Sequence, residues 1–410
     1  MLAVVDNGQH LFMGCYYETL RLLERLGTRH HLALQARLEI PLMQRDGQVG
    51  FFRLPAAQGT FGAILGLLRS PGLDWRDRLR LLRVVRAAHS TPPSTGPGPA
   101  GARHDDPLDR TTVSDWLADL RQSSEARRRL WNPLAIAILN ETPERAAATG
   151  LAAVLRQALL RGPARSGLGL SRVGLSELYA EPAARYLKAQ GSDVRLRAPV
   201  QRLLIAGERC SGVLLAGGER LSAGTVIAAL PPRELIEILP PGLAAAPPFA
   251  GAARLREQSI VSLYLWFGAR VTDLGFAGLL DGAWQWVFNR AALVGEGRAG
   301  THHVTLVRSA AGDFAERSKE SLVRSALDDL RACFPEARRA APRQALVIKE
   351  RRATVSLVPG TASLRPDFRA PLSGLLLAGD WTATGLPATI ESAVLSGHAC
   401  ARLAHGGAAR

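Results

Sequence analysis

The apolar positions of the first fifty residues read as a short strand, a helix and then more strand. Tyr16, Leu20 and Leu23 recur at helical spacing within Tyr16–Leu26, and Gly27 predicts the stop. A basic amphipathic stretch follows at Leu73–Ala88. Its spacing predicts Trp75, Leu79, Leu82 and Val85 on one side and Arg76, Arg80 and Arg83 on the other. The Pro- and Gly-rich segment Ser90–Pro107 predicts a loop or linker. Helical patterns resume from Val113 to about Arg161, with interruptions expected at Pro133 and Pro143. From Gly191 the pattern turns to short strands. Val194–Arg197, Val200–Ile205, Gly212–Leu215 and Thr225–Leu230, punctuated by Gly207-Glu208 and Gly217-Gly218, predict a meander. Ile260–Phe267 and Thr301–Val307 predict further strands and Glu320–Cys333 a helix. The chain closes with an apolar strand at Gly374–Ala378, a turn, and a helix at Thr389–Leu403. This mixture predicts an α/β protein with a discontinuous second domain.

Composition narrows the class. The 410 residues are 47% hydrophobic and 21% charged, which excludes bulk disorder. No run approaches the length of a membrane-spanning helix, and MLAVVDNGQHLF lacks the basic start of a secretory signal. Cys15, Cys210, Cys333 and Cys400 are scattered without metal-ligand spacing, so a reduced, cytoplasmic compartment is expected and a zinc site is not. The formal charge of +15 comes from a chain with 51 basic residues, of which only Lys188, Lys319 and Lys349 are lysine. The arginines are spread along the whole chain, which argues against nucleic-acid binding and for a GC-rich coding bias. A basic surface still favours contact with anionic lipid headgroups.

The segment GLLLAGDWTATGLPATIESAVLSGHACARL carries the most chemistry. A fully apolar strand predicts burial in a sheet. Gly379 allows close backbone approach, Asp380 can accept hydrogen bonds from hydroxyls, and the following helix start offers unpaired N–H groups. That set suits a phosphate- or flavin-bearing cofactor across the strand's carboxyl end. On local physics alone an ordinary β–turn–α unit fits equally.

The pattern from AGDW to the S-G at Ser396–Gly397 resembles the C-terminal FAD signature of the flavin amine oxidase and phytoene desaturase superfamily. The stretches Asp6–Gly27, Arg128–Ala147, Gly174–Leu187 and Val226–Pro232 resemble the hydroxysqualene dehydroxylases, also called squalene-associated FAD-dependent desaturases. The resemblance implies a two-lobed FAD-dependent fold. It places Asp380 at the ribityl and pyrophosphate region, Ala388, Thr389, Ile390 and Glu391 near the isoalloxazine, and Gly379, Trp381 and Val200 among the cofactor contacts. The flavin lobe is expected from Met1–Phe52, Ser171–Ala250 and Gln344–Arg410, and the substrate lobe from Arg53–Leu170 and Gly251–Arg343. One departure stands out. The superfamily's βαβ unit with G-x-G-x-x-G needs roughly 30–50 residues, and five residues stand before Asp6. Ser166–Gly174 lacks a preceding strand. A start assigned too far downstream and a real truncation both fit, and the chain as written is expected to hold FAD poorly.

The implied activity is reductive removal of the hydroxyl from hydroxysqualene to give squalene, with a polyisoprenoid substrate and hopanoid synthesis downstream. Such chemistry needs a proton donor for the leaving hydroxyl, and His10 and Glu391 are the candidates. Each also has a plainer reading: His10 as a residue of a solvated turn, Glu391 as a capping carboxylate. Trp284 and Trp286 should face opposite sides of a strand, one of them toward an apolar tunnel. His302 and His303 lack a third ligand and read as ordinary strand residues. Thr389 stands where amine oxidases carry an aromatic cage residue, which disfavours an amine substrate. The alternatives are a carotenoid or phytoene desaturase and a non-catalytic remnant that binds isoprenoid. The helix around Leu73–Ala88 suits peripheral contact with the inner face of the cytoplasmic membrane, where partner enzymes of squalene synthesis would also be met.

Overall fold

The structure is a computed structural model and describes residues 5–54, 73–90, 106–159, 163–294 and 302–407. Most of the expected linker Ser90–Pro107 therefore lies outside the described residues. The largest element is a seven-stranded sheet in the order Pro342–Val355, Glu257–Phe267, His302–Arg308, Trp286–Asn289, Phe276–Leu279, Glu39–Met43 and Val49–Arg53. Glu39–Met43 and residues 344–355, expected in the cofactor lobe, thus share one sheet with Glu257–Phe267 and Phe276–Leu279, expected in the substrate lobe. Strand alternation gives this sheet two unlike faces. Val261, Leu263, Leu265 and Phe267 bury one face against Leu322, Ala326 and Leu330 of the helix Lys319–Cys333. On the other, Ser262, Tyr264 and Trp266 stand opposite Val307, Thr305 and His303 and look toward the N-terminal segment.

A second unit is built on the parallel pair Leu375–Leu377 and Val226–Ala228. The meander is smaller than expected. Val200–Ala206, Arg209–Leu215 and Arg220–Ser222 form it, while Val226–Ala228 leaves to pair with the C-terminal strand. Residues 194–197 form no strand; Arg197 adopts a left-handed φ of 57° and Leu196 is 85% exposed. Their alternating pattern finds no neighbour to pair with among the described residues.

Two helical expectations change for non-local reasons. Pro133 does not interrupt its helix, because a π-helical turn at Arg127–Trp131 leads directly into Asn132–Leu139 and accommodates the missing N–H. The break comes at Asn140, whose left-handed φ of 48° closes the helix before Pro143. The helix Trp75–Ser90 buries Leu81, Val84, Val85 and Ala88 and leaves Trp75 and Leu79 exposed. Asp77 causes this turn of the face: its buried carboxylate accepts the Ser123 hydroxyl (2.7 Å) and the Arg80 guanidinium (3.1 Å).

The chain's two ends are tied together. The helix Tyr17–Arg25, ended by Gly27 at φ 74° as expected, has no side-chain cap of its own. Glu391, 373 residues away from Glu18, supplies it. Its Oε1 accepts from the Glu18 N–H (2.9 Å), and its Oε2 accepts from the Thr19 N–H (2.9 Å) and hydroxyl (2.7 Å). Two turns further along the helix Ile390–Gly407, His398 Nδ1 lies 2.6 Å from Glu18 Oε2. Replacing Glu391 by Ala should lower the unfolding free energy by about 2–3 kcal/mol, since hydrogen bonds to a buried charge are lost. Urea denaturation measures it; a change below about 0.5 kcal/mol, within surface-substitution noise, would contradict the capping role.

Candidate active site

The loop Gly379–Thr389 joins the strand Leu375–Leu377 to the helix Ile390–Gly407 and is pinned from the helix side. Gly379 N–H donates to Ser396 Oγ (2.8 Å), and Ser392 Oγ donates to the Asp380 carbonyl (3.2 Å) while lying 2.6 Å from Thr384 Oγ1. Gly379 has φ 149°, and a Cβ there would meet Trp381 Nε1 at 2.4 Å. The glycine therefore makes room for Trp381 rather than standing open to the cavity. Trp381 is buried and its Nε1 donates to the Leu230 carbonyl (2.9 Å), locking the loop to the Val226–Pro232 segment.

Two cavities meet at this loop. The first, of about 280 Å³, is lined by Gly8, Gln9, His10, Leu11, Tyr16, Asn140, Asp380, Ala388, Thr389 and Ile390, with Trp286, Phe288 and Val307 from the sheet. The second, of about 140 Å³, is apolar: Leu11, Met13, Leu38, Ile40, Leu134, Ile138, Leu155, Leu168 and Trp286 line it, closed by Leu386, Pro387, Thr389 and Glu391. Leu11, Tyr16, Ala137, Ile138, Trp286 and Thr389 belong to both. The expected residues His10, Asp380, Ala388, Thr389 and Ile390 thus converge on one cavity. Glu391 faces the other, with its carboxylate engaged by the helix Tyr17–Arg25. Gly379 and Trp381 stand behind the loop, and Val200, which begins its strand, lines neither cavity. Trp286 points to the cavities while Trp284 is buried on the opposite side against Phe314. His303 stacks on Trp266 at 4.5 Å between ring centroids.

The electrostatics are those of a dry site. Burial lowers His10 below its ordinary range, and nearby Asp6 only partly offsets this. The imidazole is therefore mostly neutral at pH 7 and can donate an N–H without carrying a charge. His303 is lowered to about 4, through burial and then the charge of Arg290. Burial also raises the Tyr16 phenol, and pushes the Cys15 thiol up to about 12. Asp380 is raised by loss of water, with Arg365 acting in the opposite direction. A flavin's hydroxyls fit this carboxylate: it is partly desolvated, it borders the cavity, and no side-chain donor is hydrogen-bonded to it among the described contacts.

Sequence reasoning missed three positions. Tyr16 read as an apolar helix-face residue, yet it lies against Thr389 and borders both cavities. Asn140 donates to Thr354 Oγ1 (2.8 Å) and accepts the Ala310 N–H (2.7 Å). Glu141, fully buried, accepts from Gln258 Nε2 (3.1 Å) and from the Ser356 hydroxyl. The Asn-Glu-Thr run between an apolar helix and Pro143 was the available signal for a buried polar joint between lobe and sheet. Asp6 anchors the N-terminal segment in the same way: its Oδ1 accepts the Leu175 N–H (2.9 Å) and its carbonyl the Tyr264 hydroxyl (2.6 Å).

Comparison with known proteins agrees with this geometry. The hydroxysqualene dehydroxylase of Zymomonas mobilis is 23% identical over 402 residues, covering 98% of this chain and 87% of that protein. The 15-cis-phytoene desaturase of Synechococcus elongatus is 22% identical, covering 96% and 84%. Among solved structures, putrescine oxidase bound to putrescine superimposes with a TM-score of 0.71 at 17% identity, covering 98% of this chain and 89% of that one, and so shares the fold. The family model for flavin containing amine oxidoreductases matches residues 3–405. This chain belongs to the flavin containing amine oxidoreductase family and is an FAD-dependent oxidoreductase.

Proposed function

We propose that the chain catalyses reductive dehydroxylation of hydroxysqualene to squalene, a step in bacterial squalene and hopanoid synthesis. The observation that carries this reading is the apolar cavity that opens against the cofactor-facing residues Leu386–Thr389 and shares Tyr16, Trp286 and Thr389 with the cavity of Asp380. In this reading Asp380 accepts cofactor hydroxyls, and Ala388, Thr389 and Ile390 lie along the flavin. Gly379 and Trp381 hold the loop from behind, and Val200 meets the cofactor away from the two cavities. Reduced FAD, when bound, supplies a hydride. The chain's own residues do the rest. Leu134, Ile138 and their neighbours hold the isoprenoid chain and exclude water from a carbon that becomes electron-poor as its hydroxyl leaves. A proton to that hydroxyl completes the exchange of C–OH for C–H with release of water. His10 and the Tyr16 phenol, which line the same cavity as Ala388, Thr389 and Ile390, are the proton donors in this reading. Glu391, committed to the Tyr17–Arg25 helix, serves as a positioning residue. A desaturase working in the oxidative direction is the second reading, favoured by the likeness to phytoene desaturase.

The same substrate class bears on location. Among the described residues no helix is long and apolar enough to cross a membrane. The helix Trp75–Ser90 nonetheless presents Trp75, 66% exposed, and Leu79, 52% exposed, beside the Arg76 guanidinium. We propose that this end of the helix, rather than the Arg80 side paired with Asp77, contacts an anionic bilayer that holds the substrate.

Two measurements follow. Anaerobic incubation of the reduced, flavin-loaded, N-terminally extended protein with hydroxysqualene should yield squalene by gas chromatography; no squalene refutes the dehydroxylase reading, and a conjugated, visible-absorbing product from phytoene with oxidised FAD supports the desaturase. The double substitution of Trp75 and Leu79 by Ser should weaken cosedimentation with phosphatidylglycerol vesicles by about tenfold or more, the scale of burying two large apolar side chains. Unchanged binding ends the membrane proposal.

A further inference from the structure

Among the described residues, one arginine donates to four acceptors on a single loop. Arg365 follows the short turn Thr361–Leu364 and reaches under the loop that faces the cofactor cavity. Its Nη2 donates to the Asp380 carbonyl (2.8 Å) and to Thr384 Oγ1 (3.3 Å). Its Nη1 donates to the Leu386 carbonyl (2.8 Å), and its Nε to the Trp381 carbonyl (3.3 Å). All four acceptors lie between residues 380 and 386, a stretch without helix or strand. No carboxylate oxygen forms an ion pair with this guanidinium among the described contacts. A planar fork of five N–H donors can span such a set of acceptors, and a lysine ammonium cannot.

We propose that Arg365 is the positioning residue of the cofactor site: its guanidinium moulds residues 380–386 around itself, and its positive charge acts with Asp380 in recognising a cofactor hydroxyl. The inference rests on the flavin reading of the site. Burial lowers Arg365 to about 10, still charged at neutral pH, with Asp380 and Asp109 pulling the other way. Asp109 reaches this turn from the helical lobe: its carbonyl accepts the Gly360 N–H (2.8 Å), and burial raises its carboxyl to about 6. Glu257, on the sheet, and His10, in the cavity, are the other titratable groups near Asp380. Arg365 favours the ionised form of Asp380, so removing the charge must move Asp380 protonation to higher pH. A protonated carboxyl is a weaker acceptor, and cofactor affinity then falls on the acid side.

The test is FAD titration by flavin fluorescence at pH 5.5 and pH 8 with the full chain, Arg365→Gln and Arg365→Lys. Arg365→Gln should lose more affinity at pH 5.5 than at pH 8, by about threefold or more, because Asp380 is then protonated over more of the acid range. Adding Asp380→Asn to it should abolish that difference, separating Asp380 from Asp109. Arg365→Lys should keep the wild-type pH profile at lower affinity. An equal loss at both pH values, or none, overturns the charge role. Amide hydrogen exchange of the FAD-free protein tests the moulding. Both variants should lose protection in residues 380–386 while Glu257–Phe267 keeps it; unchanged protection overturns the positioning role. If Arg365→Gln does not fold, Arg365→Lys decides by the same exchange. If the wild-type chain takes up no FAD, as the missing G-x-G-x-x-G unit would cause, the exchange result alone judges the positioning role.

Discussion

Everything at the site depends on a carboxylate near the C-terminus capping a helix near the N-terminus. Glu391 offers its two oxygens to three donors on Glu18 and Thr19, and the helix so capped carries Tyr16 at its entrance. That contact, with the Asp6 anchors and the pairing of Phe12–Met13 with Leu168–Ser171, sets the segment from Gly8 to Tyr16 beside the loop from Asp380 to Ile390. The first cavity is the space between them. The helix start at Ile390 also places Ser392 and Ser396 under the loop, so one element fixes both walls. Glu391, an acid candidate by its place in the sequence, is also the joint between the two walls of the site.

The sheet supplies the other half of the geometry. Because its strands alternate, Val307 reaches the cavity while Leu306 goes to the core behind; Trp286 opens its strand toward the cavities, and Trp284 packs behind because it precedes that strand. The division between a polar chamber and an apolar one follows from what lines each: Asp380, His10 and Gln9 in the first, leucines and isoleucines in the second. Dryness then sets the chemistry. His10 is held neutral and Cys15 protonated by burial, so neither offers a charged acid or a thiolate nucleophile near pH 7. Such a site suits hydride and proton delivery to an apolar chain better than attack by a side chain.

Local signals were legible in the sequence because they need no partner. The helix Tyr17–Arg25 with Gly27, the long strand Glu257–Phe267 and the loop beginning at Gly379 all follow from spacing and turn chemistry. The flavin family was legible from the motif that runs through this loop. The rest depended on contacts that no local pattern carries. Ser123 reaches Asp77 across 46 positions and turns the Trp75–Ser90 helix away from its expected face. Val226–Ala228 belongs to Leu375–Leu377, a parallel pairing that hairpin spacing cannot reveal. Arg365 was one basic residue in a chain with 51, and only its four acceptors distinguish it.

The central claim is that the cofactor cavity and the apolar cavity act as one site. Stopped-flow absorbance of the reduced, FAD-loaded protein mixed anaerobically with hydroxysqualene tests it, comparing the wild type with Ile138→Trp, which fills the shared boundary. The account predicts flavin reoxidation in the wild type, and reoxidation slowed by about tenfold or more in the variant at unchanged FAD affinity, the cost expected when a substrate is displaced from its reacting position. Equal reoxidation rates in the two proteins would contradict it.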